Sequence, residues 1–242
     1  VGRLAIVGGN SLIGSDIGAD APSVEVRVPE CGDAVVVVRD LGHAVLLQRH
    51  GRPGADADYT APHLVSHAAN LRALLALGCD RVLAVNSTGG LRADFGPGTF
   101  LAADDFVWVS GSISTFGDER GHRVPAFDAA WRKQVIDTWR AHTDVALRDG
   151  GVYWQVTGPR LETPAEIRMM ATFADVVGMT MAAECVVAGE LGLRYASVCI
   201  VDNFANGIRE QPLTWAEFEA GRAVTQRMLG RVLDDLGPAL GA

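Results

Sequence analysis

Four groups of residues have types and spacings that can do chemistry. Arg49-His50-Gly51-Arg52 puts two guanidinium groups and an imidazole within four residues, directly after an apolar run. In a chain with 29 acidic against 21 basic residues this is a local cationic point, suited to holding phosphate, although surface arginines are also common. Gly8-Gly9-Asn10-Ser11-Leu12-Ile13-Gly14 lets backbone amides approach an anion, with Asn10 or Ser11 as added donors, or else is an ordinary strand-to-helix turn. Asn86-Ser87-Thr88-Gly89-Gly90 offers small donors on a flexible backbone and reads equally as a plain turn. Glu162 and Asn203 form the fourth group. A carboxylate accepts N–H protons and a carboxamide donates to a ring nitrogen or carbonyl, so a rigidly held pair can read the amide edge of a heterocycle. Glu162 beside a helix start also suits the helix dipole alone.

The elements that must position these groups alternate between strand and helix. Leu4–Val7, Val82–Val85, Gly151–Val156, Asp175–Gly178 and Tyr195–Val201 read as strands, and Val35–Val38 with Ala44–Leu47 as a hairpin around Asp-Leu-Gly-His. His63–Leu77, closed by Gly78, and Ala182–Leu191 read as helices. Thr163-Pro164-Ala165-Glu166 and Thr214-Trp215-Ala216-Glu217 each place Thr at an N-cap and Glu three residues on, which is a capping box. Strands that end in small or polar residues before helices build sites at the carboxyl edge of an α/β sheet. The expected fold is a single α/β domain over residues 1–242, with a mixed central sheet flanked by helices.

Composition excludes several classes. No stretch of the 242 residues approaches an uninterrupted apolar membrane span, and the opening run turns polar before a cleavage region could form. A net charge of −8 repels a polyanionic duplex, so nucleic acid is not an expected partner. Cys31, Cys79, Cys185 and Cys199 are scattered among apolar residues with no CxxC pair, which suits reduced thiols in the cytoplasm and names no metal site. Lys133, the only lysine, lies in a polar helical stretch, so lysine-dependent covalent chemistry has almost no candidate. Leu12 interrupts the glycine pattern of a dinucleotide site, and Ala129 stands four residues before Lys133 where a Tyr-x-x-x-Lys pair would need tyrosine.

Gly158-Pro159-Arg160-Leu161-Glu162-Thr163-Pro164-Ala165-Glu166, followed by Gly178-Met179-Thr180 and Ala183-Glu184, resembles the signature of trimeric purine nucleoside phosphorylases and methylthioadenosine phosphorylases. Further matches are the first glycine turn, Arg49-His50-Gly51, Asn86 to Leu91, Pro97-Gly98 and Tyr195 to Ile208, so the likeness covers nearly the whole chain. The resemblance implies phosphorolysis: inorganic phosphate, a co-substrate with no further cofactor, attacks C1′ of a purine nucleoside and displaces the base. It assigns phosphate contacts to Asn10, Ser11, Arg49, His50, Asn86, Ser87 and Thr180. Glu162 and Asn203 become the base-reading pair, with Leu161 against the base and Met179 under the ribose. Asn203 and His50 carry the catalytic roles. Thr214 falls at the 5′ end of the sugar, where neighbouring Trp215 would add an apolar wall. The resemblance also implies a homotrimer, in which the Gly121–Phe127 segment closes a neighbour's sugar pocket through His122 or Phe127.

The Glu162 and Asn203 pair resembles enzymes of 6-oxopurine nucleosides, inosine or guanosine, whereas Arg49-His50-Gly51-Arg52 resembles the methylthio branch. A 5′-methylthioinosine substrate reconciles the two. Four residues depart from the family pattern: Asn10 stands for Ser or Thr, Gly54 for His, Leu161 for an aromatic and Asp202 for Thr. A carboxylate at Asp202 beside an anion site weakens phosphate unless it points away. A methylthioadenosine-type phosphorylase, a hydrolytic nucleosidase and a catalytically silent nucleoside-binding protein remain open alternatives.

Overall fold

A computed structural model describes residues 2–51, 59–211 and 213–242. In chain order the strands are β1 (Arg3–Gly8), β2 (Ser23–Val28), β3 (Ala34–Asp40), β4 (Ala44–Gln48), β5 (Cys79–Gly90), β6 (Phe100–Ala102), β7 (Asp105–Val107), β8 (Leu147–Asp149), β9 (Val152–Gln155), β10 (Val176–Gly178) and β11 (Arg194–Phe204). The helices are α1 (His67–Ala76), α2 (Ala129–His142), α3 (Pro164–Met170), α4 (Met181–Leu191) and α5 (Trp215–Gly241). All described strands join one mixed sheet in the order β2-β3-β4-β1-β5-β10-β9-β7, with β11, β6 and β8 branching from β5.

Side chains of β1 alternate between two cores, as a strand buried on both faces requires. Leu4 and Ile6 pack with α2 and α5 through Trp131, Trp139, Leu229 and Leu236. Ala5 and Val7 pack with α1 and α4 through Leu71, Leu74, Met181 and Val187. The hairpin is β3 and β4, paired antiparallel at Arg39↔Leu46, with the Gly42 N–H donating to Asp40 Oδ1 at 2.9 Å. Both capping boxes form, at Thr163/Glu166 and at Thr214/Glu217. No helix among the described residues is long and apolar enough to cross a membrane.

Two expectations change. The helix expected over His63–Leu77 begins only at His67: Pro62–Leu64 is one 3₁₀ turn ended by extended Val65, which leaves Leu64 exposed. Asn86–Gly90 is not a turn but the second half of β5, held by long-range pairing to β11 along its length.

That extension creates the site. Strand β1 accompanies β5 in parallel only as far as Gly8↔Val85, while β10 joins the same edge antiparallel at Gly89 and Gly90. Between them, residues 86–88 have β11 on one side and an opening on the other, the kind of switch point where α/β sheets bind ligands. On the opposite edge the β11 register shifts between Val201 and Asn203, so Asp202 is the bulged residue. Bulges of this kind re-aim side chains beside sites.

Candidate active site

The opening is a cavity of about 330 Å³. Gly9 and Asn10 reach it from the turn after β1, and Arg49 and His50 from the end of β4. Ser87, Thr88 and Gly89 come from β5; Gly178, Met179 and Thr180 from the β10–α4 junction; Leu161 and Glu162 from the loop before α3; Asn203 and Asn206 from the end of β11. Residues from nearly every sequence motif therefore converge on one space.

At one end sits a charge cluster. Arg49 is 4% exposed and pairs with Glu184 of α4: Nε lies 2.7 Å from Oε1, off the hydrogen-bond axis, and Nη2 donates to Oε2 at 3.1 Å. Nη1 donates to Asn86 Oδ1 at 2.6 Å and to Thr180 Oγ1 and Val85 O at 3.2 Å each, while Nη2 also reaches Val7 O at 3.1 Å. Gly9 lies close beside it, where a Cβ would stand a crowded 3.0 Å from both Arg49 Nη1 and Val85 O. Burial works against ionisation of Glu184, yet Arg49, with His67 and the Tyr195 hydroxyl, holds its carboxyl below the usual range. Arg49 lines the cavity as expected of a phosphate contact, but its guanidinium is already engaged by Glu184, Asn86, Thr180 and the Val7 and Val85 carbonyls.

His50 Nδ1 lies 2.9 Å from Thr60 O, so Nδ1 carries the ring proton. Burial, followed by the field of Arg49, pulls its pKa down to about 4. The ring is neutral at pH 7 and Nε2 is an acceptor.

Asn86 and Ser11 do not line the cavity. Asn86 is 1% exposed, with Oδ1 taken by Arg49 and Thr180 and Nδ2 donating to Ser197 Oγ at 2.7 Å. Ser11 is fully buried behind Ser87, its N–H donating to Ser87 Oγ at 3.0 Å and its Oγ 2.5 Å from the same atom. Both were expected on phosphate; both instead support the wall, Ser11 behind Ser87 and Asn86 between Arg49 and Ser197, while Asn10 and Ser87 line the space.

A second polar group of the lining comes from the loop before α3 and the end of β11. Glu162 precedes the Thr163 N-cap of α3, and its carbonyl accepts from Asn206 Nδ2 at 3.2 Å. Its side chain is 7% exposed and burial raises its pKa. Asn203 Nδ2 donates to Phe204 O at 2.7 Å, which orients the carboxamide and leaves its second N–H and its Oδ1 for a ligand. Met179 lies over Gly158, where any Cβ would overlap its Sδ. Leu161 is half-exposed at the rim.

Thr214 is corrected as a sugar contact. Its Oγ1 accepts the Glu217 N–H and donates to Glu217 Oε2, so the capping box consumes it, and Leu213 and Phe218 line the cavity there instead. His122 is exposed beyond the 3₁₀ turn Glu119–Gly121 and away from this chain's cavity. Phe127 is largely buried, its ring stacked on Tyr195. Arg52, Gly54 and the Trp215 side chain lie outside the described structure. Residues the sequence reading missed are Tyr59, Pro62, Asn206, Leu213 and Phe218. Only Asn206, inside Asn203-Phe204-Ala205-Asn206-Gly207, carried a local polar signal.

A mixed α/β sheet whose switch point joins a buried Arg–Glu pair to a carboxylate and carboxamide facing one cavity defines a nucleoside phosphorylase-like protein. The chain belongs to the phosphorylase superfamily, whose sequence model matches residues 3–236. It is 35% identical over 215 residues, 88% of this chain and 87% of the relative, to a probable 6-oxopurine nucleoside phosphorylase of Archaeoglobus fulgidus. It is 42% identical over 189 residues, 73% of each chain, to a probable S-methyl-5′-thioinosine phosphorylase of Xanthomonas campestris pv. campestris. The fold matches methylthioadenosine phosphorylase from Schistosoma mansoni in complex with adenine, with a TM-score of 0.80 at 23% identity, covering 100% of this chain and 92% of the other.

Proposed function

We propose that this protein cleaves the N-glycosidic bond of 6-oxopurine nucleosides with inorganic phosphate, giving the free base and a pentose 1-phosphate, and that 5′-methylthioinosine is the preferred nucleoside. The observation that carries the reading is one cavity lined both by Arg49, held in its buried pair with Glu184 beside neutral His50, and by Glu162 with Asn203. Relatives named for 6-oxopurine nucleosides and for methylthioinosine support the same substrate class.

Phosphate oxygen attacks C1′, the C1′–N9 bond breaks, and its electron pair moves onto the purine. Positive charge develops on the sugar and negative charge on the base, so an anion below the ring and donors at the base both lower the barrier. Arg49 Nη1, Ser87, Thr180 and Asn10 bound the phosphate end. Neutral His50 presents Nε2 as an acceptor for a phosphate hydroxyl, which aims the anion without charging the ring. Asn203 donates to purine N7 as charge arrives, and Glu162 accepts the N1 proton that a 6-oxopurine carries. Leu213 and Phe218 supply an apolar wall at the sugar end, which favours a methylthio group over a hydroxyl. No cofactor beyond phosphate enters this chemistry. The free thiols, three of them buried, fit the reducing cytoplasm.

Incubation with inosine, guanosine and 5′-methylthioinosine, with and without phosphate, tests this. The expected result is base release that requires phosphate, with kcat/KM highest for methylthioinosine. Release without phosphate would make the protein a hydrolase, and binding without release a silent receptor.

The active form is proposed to be a homotrimer in which His122 of one subunit borders the sugar site of the next. Light scattering should give three times the 25.6 kDa chain mass. His122→Ala should raise the nucleoside KM while leaving the phosphate KM and the assembly unchanged. A fully active monomer at micromolar concentration would sink the trimer.

A further inference from the structure

Asp202 is 1% exposed, sits in the β11 bulge and lies behind the cavity wall, not in it. Thr225 Oγ1 of α5 donates to its Oδ1 at 2.5 Å, while Oδ2 has no hydrogen-bond partner. A buried acceptor left bare is costly and takes the nearest available proton. Ser87, paired across β5 and β11 with Ile200 beside the bulge, is the wall hydroxyl that acts on this carboxyl and favours its ionised form, with no hydrogen bond formed between them here. Ser87 Oγ is otherwise an acceptor, taking the Ser11 N–H at 3.0 Å and lying 2.5 Å from Ser11 Oγ. A hydroxyl has one hydrogen, so a Ser87 that turns it towards Asp202 while accepting the Ser11 N–H has no hydrogen to offer the cavity it lines.

We propose that Asp202 is a positioning residue for the oxyanion: its buried carboxyl decides whether the Ser87 hydrogen is turned into the protein or released towards the anion. The inference rests on reading this end of the cavity as the phosphate subsite. Both protonation states of Asp202 find partners. Ionised, it accepts from Thr225 and Ser87. Neutral, it donates to Thr225 Oγ1, whose own hydrogen turns to Arg222 O at 3.0 Å or Gly221 O at 3.2 Å, and Ser87 is set free.

Burial pushes the Asp202 pKa up to about 6, against the hydroxyls of Thr225 and Ser87 and the charge of Arg222. Arg222, on the same helix as Thr225, is the charged group acting on it; from β5 and the N-terminal turn it meets only Ser87 and, through it, Ser11, neither of which titrates. Because the raised pKa belongs to an acid, the neutral form that frees Ser87 dominates below about pH 6 and is lost above it. The His50 transition, at about 4, lies below this window.

Sulfate keeps a constant charge across the range and serves as the probe, measured as a competitive inhibitor against phosphate and by calorimetry between about pH 5 and pH 8. For the wild-type protein the sulfate inhibition constant should rise about tenfold through this range, the size of one hydrogen bond to a charged group. Asp202→Asn keeps the shape and cannot become a carboxylate, so it should hold the low-pH affinity at every pH. Thr225→Val removes a donor that favours the carboxylate and should move the rise to higher pH. Superimposable wild-type and Asp202→Asn profiles, or a Thr225→Val profile that does not move, would overturn the role of Asp202 alone. Cleavage that ignores phosphate, or sulfate that fails to compete with it, would remove the phosphate subsite itself and this inference with it.

Discussion

Arg49→Ala should lose both stability and phosphate affinity, and the pH dependence of its melting temperature should invert. Truncation leaves Glu184 fully buried with only the Tyr195 hydroxyl at 2.9 Å and His67, 3.7 Å away, as partners. Breaking a buried pair by removing one member costs about 3 to 5 kcal/mol, roughly 10 °C in melting temperature for a chain of this size. In the wild-type protein the Glu184 pKa is lowered, so the pair adds stability above the unfolded carboxylate pKa and loses it as pH falls through the folded value. Without Arg49, burial, the largest influence on this carboxyl, outweighs the remaining Tyr195 and His67 contacts, and the folded pKa rises above the unfolded one. Glu184 then opposes folding at neutral pH and is relieved on acidification. The gap in melting temperature between wild type and variant should therefore widen from about pH 4 to pH 7, and a gap independent of pH would contradict the pairing.

The same variant separates support from ligand contact. Nη1 is bonded to Asn86 and Thr180 as well as bordering the cavity, so the phosphate KM should rise more than the nucleoside KM. Equal rises would make Arg49 purely structural. Arg49→Lys should rescue little of either, because an ammonium cannot meet Glu184, Val7 O, Val85 O and Asn86 together in one plane.

What could be read from the sequence follows how local each determinant is. The two capping boxes are four-residue signals and form as read. Apolar runs such as Leu4–Val7 and Tyr195–Val201 are buried on both faces, and their strands extend beyond the runs only where pairing continues into polar residues. Asn86–Gly90 has turn composition, and only pairing to a strand more than a hundred residues later makes it β structure. Register decides between neighbours: nothing local distinguishes Asn86 from Ser87 or Ser11 from Asn10, yet one of each pair lines the cavity and the other braces it. Arg49 was legible as a cation but its partner was not, since Glu184 is 135 residues away among the buried apolar residues of α4. At Thr214 two readings competed, and the strong local capping signal was the one the structure used.

Glu162 and Asn203 should decide base identity, with an effect on the order of 10- to 100-fold at neutral pH. Inosine presents N1–H and a C6 carbonyl, whereas adenosine presents a bare N1 and an amino group. An ionised Glu162 accepts from the first and sets lone pair against lone pair with the second, in a site too buried for water to relieve the mismatch. Glu162→Gln keeps one acceptor but loses the charge, so the inosine kcat/KM should fall roughly tenfold or more, while its new N–H meets adenine N1 and the adenosine rate rises. Acid should mimic the substitution. Because burial raises the Glu162 pKa, the neutral carboxyl persists to higher pH than for an exposed glutamate. The inosine to adenosine ratio of kcat/KM should therefore shrink as pH falls through that raised value. Asn203→Asp should shift preference towards 6-aminopurines, whose amino hydrogens a carboxyl accepts, and should slow inosine because the donor to N7 is lost as the purine anion forms. Wild-type protein that cleaves adenosine as fast as inosine at neutral pH, or Glu162→Gln with an unchanged inosine rate, would reduce Glu162 to a residue that leads into the Thr163 cap and reads no base.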